Sequence, residues 1–170
     1  MAWGQGELIA TPAAVARVAA GIANNGVLMP NRYVISVSGK MAPVQTGVRI
    51  AKRPQFAKHI TDYMLEQSAN KVQRLGLKVA GKSGTPERIW KSERINDGWY
   101  VFFAPKANGK GHIVTCIRLE AAKGSSEAIR LAGSYVIPVL VKRGYIKSFE
   151  KTGTTNLPIK NPLVKGNQNL

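Results

Sequence analysis

The chain has 170 residues, 44% of them hydrophobic, which is enough for one domain with a buried core and excludes a disordered chain. Its formal net charge of +16 raises the question of a polyanionic partner. The basic residues scatter from Arg17 to Lys165 without a nucleic-acid-binding signature, so a solvated basic surface is expected and no nucleic acid.

Thr11 and Pro12 open the first predicted helix: a threonine side chain can cap the leading N–H groups, and proline suits the first helical position. A run of small residues carries it to Asn24-Asn25-Gly26, where residues that tolerate the left-handed conformation end it. Residues 27–51 read as short strands and turns, with alternation over 32–37 predicting one strand. A second helix is predicted over 54–70, with Phe56, Ile60, Met64 and Leu65 near helical spacing.

From Leu77 the character turns to β. Strands are predicted over 77–84, 98–104 and 111–119, and hairpin-type connectors over 86–97 and 105–110 make them adjacent and antiparallel. Ser125 or Ser126 is expected to cap a last helix running to about Lys142, with Glu127 near its positive end. The fold class is thus α+β: a three-stranded antiparallel sheet flanked by helices in a domain of residues 1–147. Residues 148–170 are expected to be a polar, flexible tail. No apolar run approaches the roughly 18 residues of a membrane span, and the N-terminus lacks the basic-then-apolar layout of a signal peptide. Cys116 lies in an apolar stretch, cannot form an internal disulfide, and reads as a buried, inert thiol.

The chemistry concentrates in Val79-Ala80-Gly81-Lys82-Ser83-Gly84-Thr85. Lys82 offers a fixed positive charge for a substrate carboxylate, and Ser83 and Thr85 offer hydroxyl donors. Gly84 removes a side chain where an extended substrate would lie against the strand as an added β-partner. The backbone N–H of Thr85 can face a developing oxyanion. A second match, Lys151-Thr152-Gly153-Thr154, lies in the polar tail with no strand before it and is read as coincidence.

Three blocks give the first match its context. Gly4-Gln5-Gly6-Glu7-Leu8-Ile9-Ala10-Thr11-Pro12 leads into the small-residue helix, the Lys82 strand follows, and then comes Asp97-Gly98-Trp99-Tyr100-Val101-Phe102-Phe103-Ala104-Pro105. In this order, over about residues 3–143, they resemble the C-terminal part of a penicillin-binding protein transpeptidase domain, of the penicilloyl-serine transferase family. The resemblance implies the C-terminal part of a β-lactamase/transpeptidase-like fold. It further implies a serine D,D-transpeptidase that cross-links peptidoglycan stem peptides through an acyl-enzyme and binds β-lactams at the outer face of the cytoplasmic membrane.

It also assigns roles. Lys82, Ser83, Gly84 and Thr85 bind substrate, Trp99 lines the groove, Lys82 assists the proton shuttle electrostatically, and the Thr85 N–H forms half an oxyanion hole. No cofactor is implied. His59 and His112 have no partner at metal-ligand spacing, so no metal is expected. The strongly charged connector from Arg88 to Arg94 would lie near the groove mouth, and Glu7 is assigned no catalytic role.

The family's acylated serine lies in a Ser-x-x-Lys box, followed by a Ser-x-Asn box, both ahead of the Gly-Gln-Gly segment. Here Ser68-Ala69-Asn70-Lys71 and Ser148-Phe149-Glu150-Lys151 imitate them in the wrong order and are rejected. The expectation is a fragment with no nucleophile of its own. It is inactive alone, wants the N-terminal part of its domain as partner, and self-associates through bared sheet edges and apolar surface. The competing reading is a non-catalytic cell-wall or divisome binding module that kept the fold.

Overall fold

The computed structural model describes residues 9–72 and 79–147. In chain order the elements are α1 (Pro12–Ala23), β1 (Val27–Leu28), β2 (Ser36–Val37), β3 (Lys40–Met41), β4 (Val48–Arg49), α2 (Pro54–Val72), β5 (Ala80–Gly84), β6 (Glu87–Trp90), β7 (Glu93–Asn96), β8 (Gly98–Pro105), β9 (His112–Leu119), α3 (Ser125–Leu131) and α4 (Ile137–Lys142). Helix α1 starts as its sequence dictates: Thr11 Oγ1 accepts the Ala14 N–H at 3.1 Å. It ends with Asn25 and Gly26 at positive φ and a 3.0 Å bond from the Asn24 side chain to the Val27 carbonyl.

The three long strands form an antiparallel sheet in the order β5-β8-β9. Ala80 stands opposite Phe103 and Gly84 opposite Trp99. On the other side of β8, Gly98 stands opposite Leu119 and Pro105 opposite His112. Side chains alternate across β8, so its two faces build two cores. Tyr100, Phe102 and Ala104 pack with Val79, Ile117, Ala128, Ala132, Ile137 and Ile146 toward the C-terminal helices. Phe103 packs with Ala19, Met64 and Ala80 toward α1 and α2. Each fully buried phenylalanine side chain contributes about 2 to 3 kcal/mol. The sheet is therefore a helix–sheet–helix sandwich, and the α+β expectation holds.

Several local expectations need correction. The strand expected over 32–37 shrinks to β2, paired with β3. Arg32 bends the chain instead, donating to the carbonyls of Val34, Ile35 and Ala42 at 3.1, 3.0 and 2.6 Å. The 86–97 connector joins antiparallel neighbours β5 and β8 as expected, but it holds strands of its own: β6 and β7 pair antiparallel within it around a turn at Lys91 and Ser92, both at positive φ. The last helix is interrupted: Ala132–Val136 is wound as a π-helix before α4. Pro138 explains the widening, since it has no N–H to give and its ring crowds the preceding turn. Neither Ser125 nor Ser126 caps this helix; Gly124 holds the cap position, at φ 138°. Residues 77–78, the 148–170 tail with its Lys151 box and Ser148, and the Gly4 to Leu8 block lie outside the described residues.

Candidate functional site

Strand β5 stands at one edge of the sheet, with β9 at the other. Its first half is covered and its second half open. Ala80 and Gly81 are buried, Ser83 and Gly84 are half-buried, and Lys82 and Thr85 are exposed. Register sets Lys82 beside Val101 and Gly84 beside Trp99, so this end of the strand lies alongside the start of β8. The Lys82 ammonium donates to the Ser83 carbonyl at 2.6 Å, folding its stem along the strand.

The two glycines of β5 differ in kind. A Cβ on Gly81 would collide with the Tyr100 hydroxyl and with Ser68 Oγ, so the core itself demands glycine there. A Cβ on Gly84 would meet only the Trp99 Cβ, at an ordinary 3.6 Å. The packing of the described residues makes no demand on Gly84. Thr85 is held from behind: its Oγ1 accepts the Ser125 N–H at 3.1 Å, supplying the first turn of α3 with an acceptor from outside the helix.

Asp97 anchors the surroundings of this box. It is 3% exposed. Its carboxylate accepts Arg88 Nε at 3.1 and 3.2 Å, Arg118 Nε and Nη2 at 3.1 and 2.8 Å, and the Ala121 N–H at 3.1 Å. Burial alone would raise its pKa. The Arg118, Ala121 and Arg88 hydrogen bonds outweigh that and hold the carboxyl below the usual carboxylate range. Glu120 completes the cluster, 3.0 Å from Arg118 and 3.9 Å from Arg88.

Arg118 also covers the Trp99 ring at 5.7 Å, so this half-buried indole is partly capped by the protein itself. Trp99 Nε1 is buried without a hydrogen-bond partner among the described residues. Beyond Thr85 the β6–β7 hairpin carries exposed Ile89 and Trp90, with Arg88 over the Trp90 ring at 5.4 Å.

The structure thus brings Lys82, Ser83, Gly84, Thr85 and Trp99 together at one end of the sheet. Sequence reading missed Asp97, Arg118 and Ser125 as the groups that hold that end. A signal was present, since Asp97 is the sole acid between Glu93 and Glu120. His59 is exposed on α2, and His112 sits edge-on to Phe103 with centroids 5.5 Å apart. Among the described residues no group of three or more His, Cys, Asp or Glu side chains could hold a metal ion. No helix among them is long and apolar enough to cross a membrane.

An antiparallel sheet between helices, with a Lys-Ser-Gly-Thr box on its edge strand, is the arrangement that the resemblance to transpeptidase domains implies. A family model of the penicillin binding protein transpeptidase domain matches residues 1–136, and the chain belongs to that family. It is 32% identical over 139 residues to the peptidoglycan D,D-transpeptidase PbpA of Mycolicibacterium smegmatis, covering 74% of this chain and 28% of that protein. Against the PbpA of Mycobacterium tuberculosis it is 33% identical over 141 residues, with the same coverage. The structure is similar to the D,D-transpeptidase domain of a peptidoglycan glycosyltransferase from Eggerthella lenta, with a TM-score of 0.61 and 28% identity. That match covers 79% of this chain and 33% of the other. The chain therefore spans between a quarter and a third of the length of these relatives.

Proposed function

We propose that this chain is the substrate-binding wall of a serine D,D-transpeptidase that cross-links peptidoglycan stem peptides outside the cytoplasmic membrane. In the reaction, the serine hydroxyl adds to the penultimate D-alanine carbonyl and the terminal D-alanine leaves with a proton. An amine of a neighbouring strand then takes the acyl group and releases the serine. Lys82, Ser83 and Thr85 bind the substrate carboxylate, and Lys82 assists proton transfer electrostatically. The Thr85 N–H supplies half of the oxyanion hole. The nucleophile comes from the preceding part of the domain, so the chain alone is inactive. It also self-associates where that part would otherwise cover it.

One observation carries this reading: a lysine–hydroxyl–glycine box on the open half of an edge strand, with a glycine that the described packing does not require. The family membership supports it, as does the activity for which the PbpA relatives are named.

The test is acylation of the full-length gene product by a fluorescent penicillin. Wild-type protein labels, Lys82→Ala labels far more slowly, and the 170-residue chain alone does not label. Absence of any labelling of the full-length protein favours a non-catalytic module, and normal labelling of Lys82→Ala refutes the role given to Lys82.

A further inference from the structure

We propose that Asp97 is a positioning residue for the Thr85 end of the box, acting through the 120–124 loop and the Ser125 N–H. Its consequence for catalysis rests on reading β5 as the substrate wall; its geometric content does not.

Two routes lead from Asp97 to Thr85. The shorter runs through the backbone, where the Asp97 N–H donates to the Pro86 carbonyl at 3.0 Å and fixes the residue that directly follows Thr85. The longer runs through the side chain. The carboxylate accepts the Ala121 N–H and so holds Ala121 at φ 50°, a left-handed conformation that alanine does not adopt unsupported. From Ala121 the loop passes under the start of β8. A Cβ on Gly98 would collide with the Gly124 carbonyl and lie 3.3 Å from the Ala122 Cβ, so the loop is seated directly against the strand. Gly124, at φ 138°, then turns the chain so that Ser125 presents its N–H to Thr85 Oγ1.

The charged groups facing Asp97 come from each element around it: Arg88 from β6, Arg118 from β9 and Glu120 from the loop. A plain ion-pair hub would need the two arginines alone. Here the carboxylate spends one acceptor site on the backbone of the loop that leads to Thr85. A stabilising pair need not be tied to the substrate box in this way, and a positioning residue must be.

The geometric test needs no active enzyme. In the isotope-labelled chain, acid titration is followed at the amides of Ala121, Ser125 and Thr85. All three are expected to move with one midpoint, that of Asp97, below the usual carboxylate range. In Asp97→Asn that titration is lost and exchange of the Ser125 amide proton accelerates. Titration of Ala121 alone, with Ser125 and Thr85 unmoved, overturns the proposal. Should Asp97→Asn fail to fold, the wild-type titration decides by itself.

The catalytic consequence is read on the full-length gene product with the fluorescent penicillin. Asp97→Asn should slow acylation about tenfold, the order expected for a small displacement of a binding group. Its effect and that of Thr85→Val should not add, since both act on one contact. If Lys82→Ala is impaired and Asp97→Asn is not, positioning is refuted. If Lys82→Ala acylates normally, the substrate-wall reading falls, while the amide titration still decides the coupling of Asp97 to Thr85.

Discussion

Ser68 Oγ and the Tyr100 hydroxyl meet between α2 and β8 in a buried hydrogen bond of 3.0 Å, each residue 1% exposed. Burial pushes the Tyr100 phenol up, with the Ser68 bond opposing it. Tyr100→Phe would leave the serine hydroxyl buried without its partner, and Ser68→Ala would do the same to the phenol. Each is expected to cost about 1 to 3 kcal/mol. The double variant should cost less than the sum of the two. Urea denaturation of the four proteins closes the cycle; additive losses would show that the two groups do not depend on each other. The same bond gives Ser68 a structural task between α2 and β8.

Gly81 and Gly84 lie three residues apart on β5 and should respond oppositely to alanine. At Gly81 the new methyl meets the Tyr100 hydroxyl and Ser68 Oγ, and overpacking of this sort costs about 1 to 3 kcal/mol. At Gly84 it meets only the Trp99 Cβ at 3.6 Å, so thermal stability should hold within about 0.5 kcal/mol. If substrate lies along this edge, Gly84→Ala should nevertheless impair penicillin acylation of the full-length protein. Undiminished acylation would remove Gly84 from the substrate wall.

How far the sequence discloses the fold depends on the range of the forces involved. The ends of α1 were legible because Thr11, Pro12, Asn24 and Gly26 act on their own neighbours. The three long strands were legible because their apolar runs are bounded by turn residues. The β6–β7 hairpin was obscured by charge, although Glu-Arg-Ile opens both strands and Arg88 stands opposite Ile95. Thr85 serving α3 from 40 residues away and Asp97 collecting Arg118 from 21 residues along the chain are contacts between distant positions. No local pattern encodes them. The box itself could be read because its residues are contiguous; the supports behind it could not.

Cys116 on β9 is half-buried, and burial pushes its thiol above the ordinary value. Less thiolate and less access both slow alkylation. At neutral pH the folded chain should react with iodoacetamide many-fold more slowly than the same chain in denaturant, the rate being followed by mass spectrometry. Equal rates would mean that the β8–β9 pairing opens freely at Val101–Cys116.

The depressed pKa of Asp97 makes a prediction about acid. Its carboxyl binds protons less readily folded than unfolded, so its stabilising contribution is fully present above the unfolded value of about 3.9. That contribution is lost as pH falls through the lower folded value. Stability should therefore be insensitive to this group from neutral pH down to about 4 and decline below it. In Asp97→Asn this component of the decline should vanish, at the expense of lower stability at neutral pH, because two partly buried arginines lose their counter-charge. Chemical denaturation at a series of pH values reads both. A wild-type decline already under way near pH 6 would place the acid-sensitive group elsewhere.

Self-association can be predicted together with its salt dependence, because attraction and repulsion arise from different parts of the surface. Tyr33, Ile35, Val37, Met41, Val44 and Val48, close together along the chain, are each more than 60% exposed, and exposed apolar side chains gathered in one region favour association. No acidic residue lies between Glu7 and Asp62, so this apolar stretch sits in a region of unrelieved positive charge. Two copies approaching through it must bring like charges together. At low ionic strength that repulsion reaches far; the screening length shortens from about 10 Å at 0.1 M salt to about 3 Å at 1 M. The apolar attraction is not weakened by the same salt. The chain should be mostly monomeric in dilute buffer and self-associate as salt rises, with Ile35→Lys or Val37→Lys suppressing the association. Light scattering across a salt series measures it. A monomer at every ionic strength would show that the exposed stretch is not adhesive between copies, and association that weakens with salt would assign it to charge pairing instead.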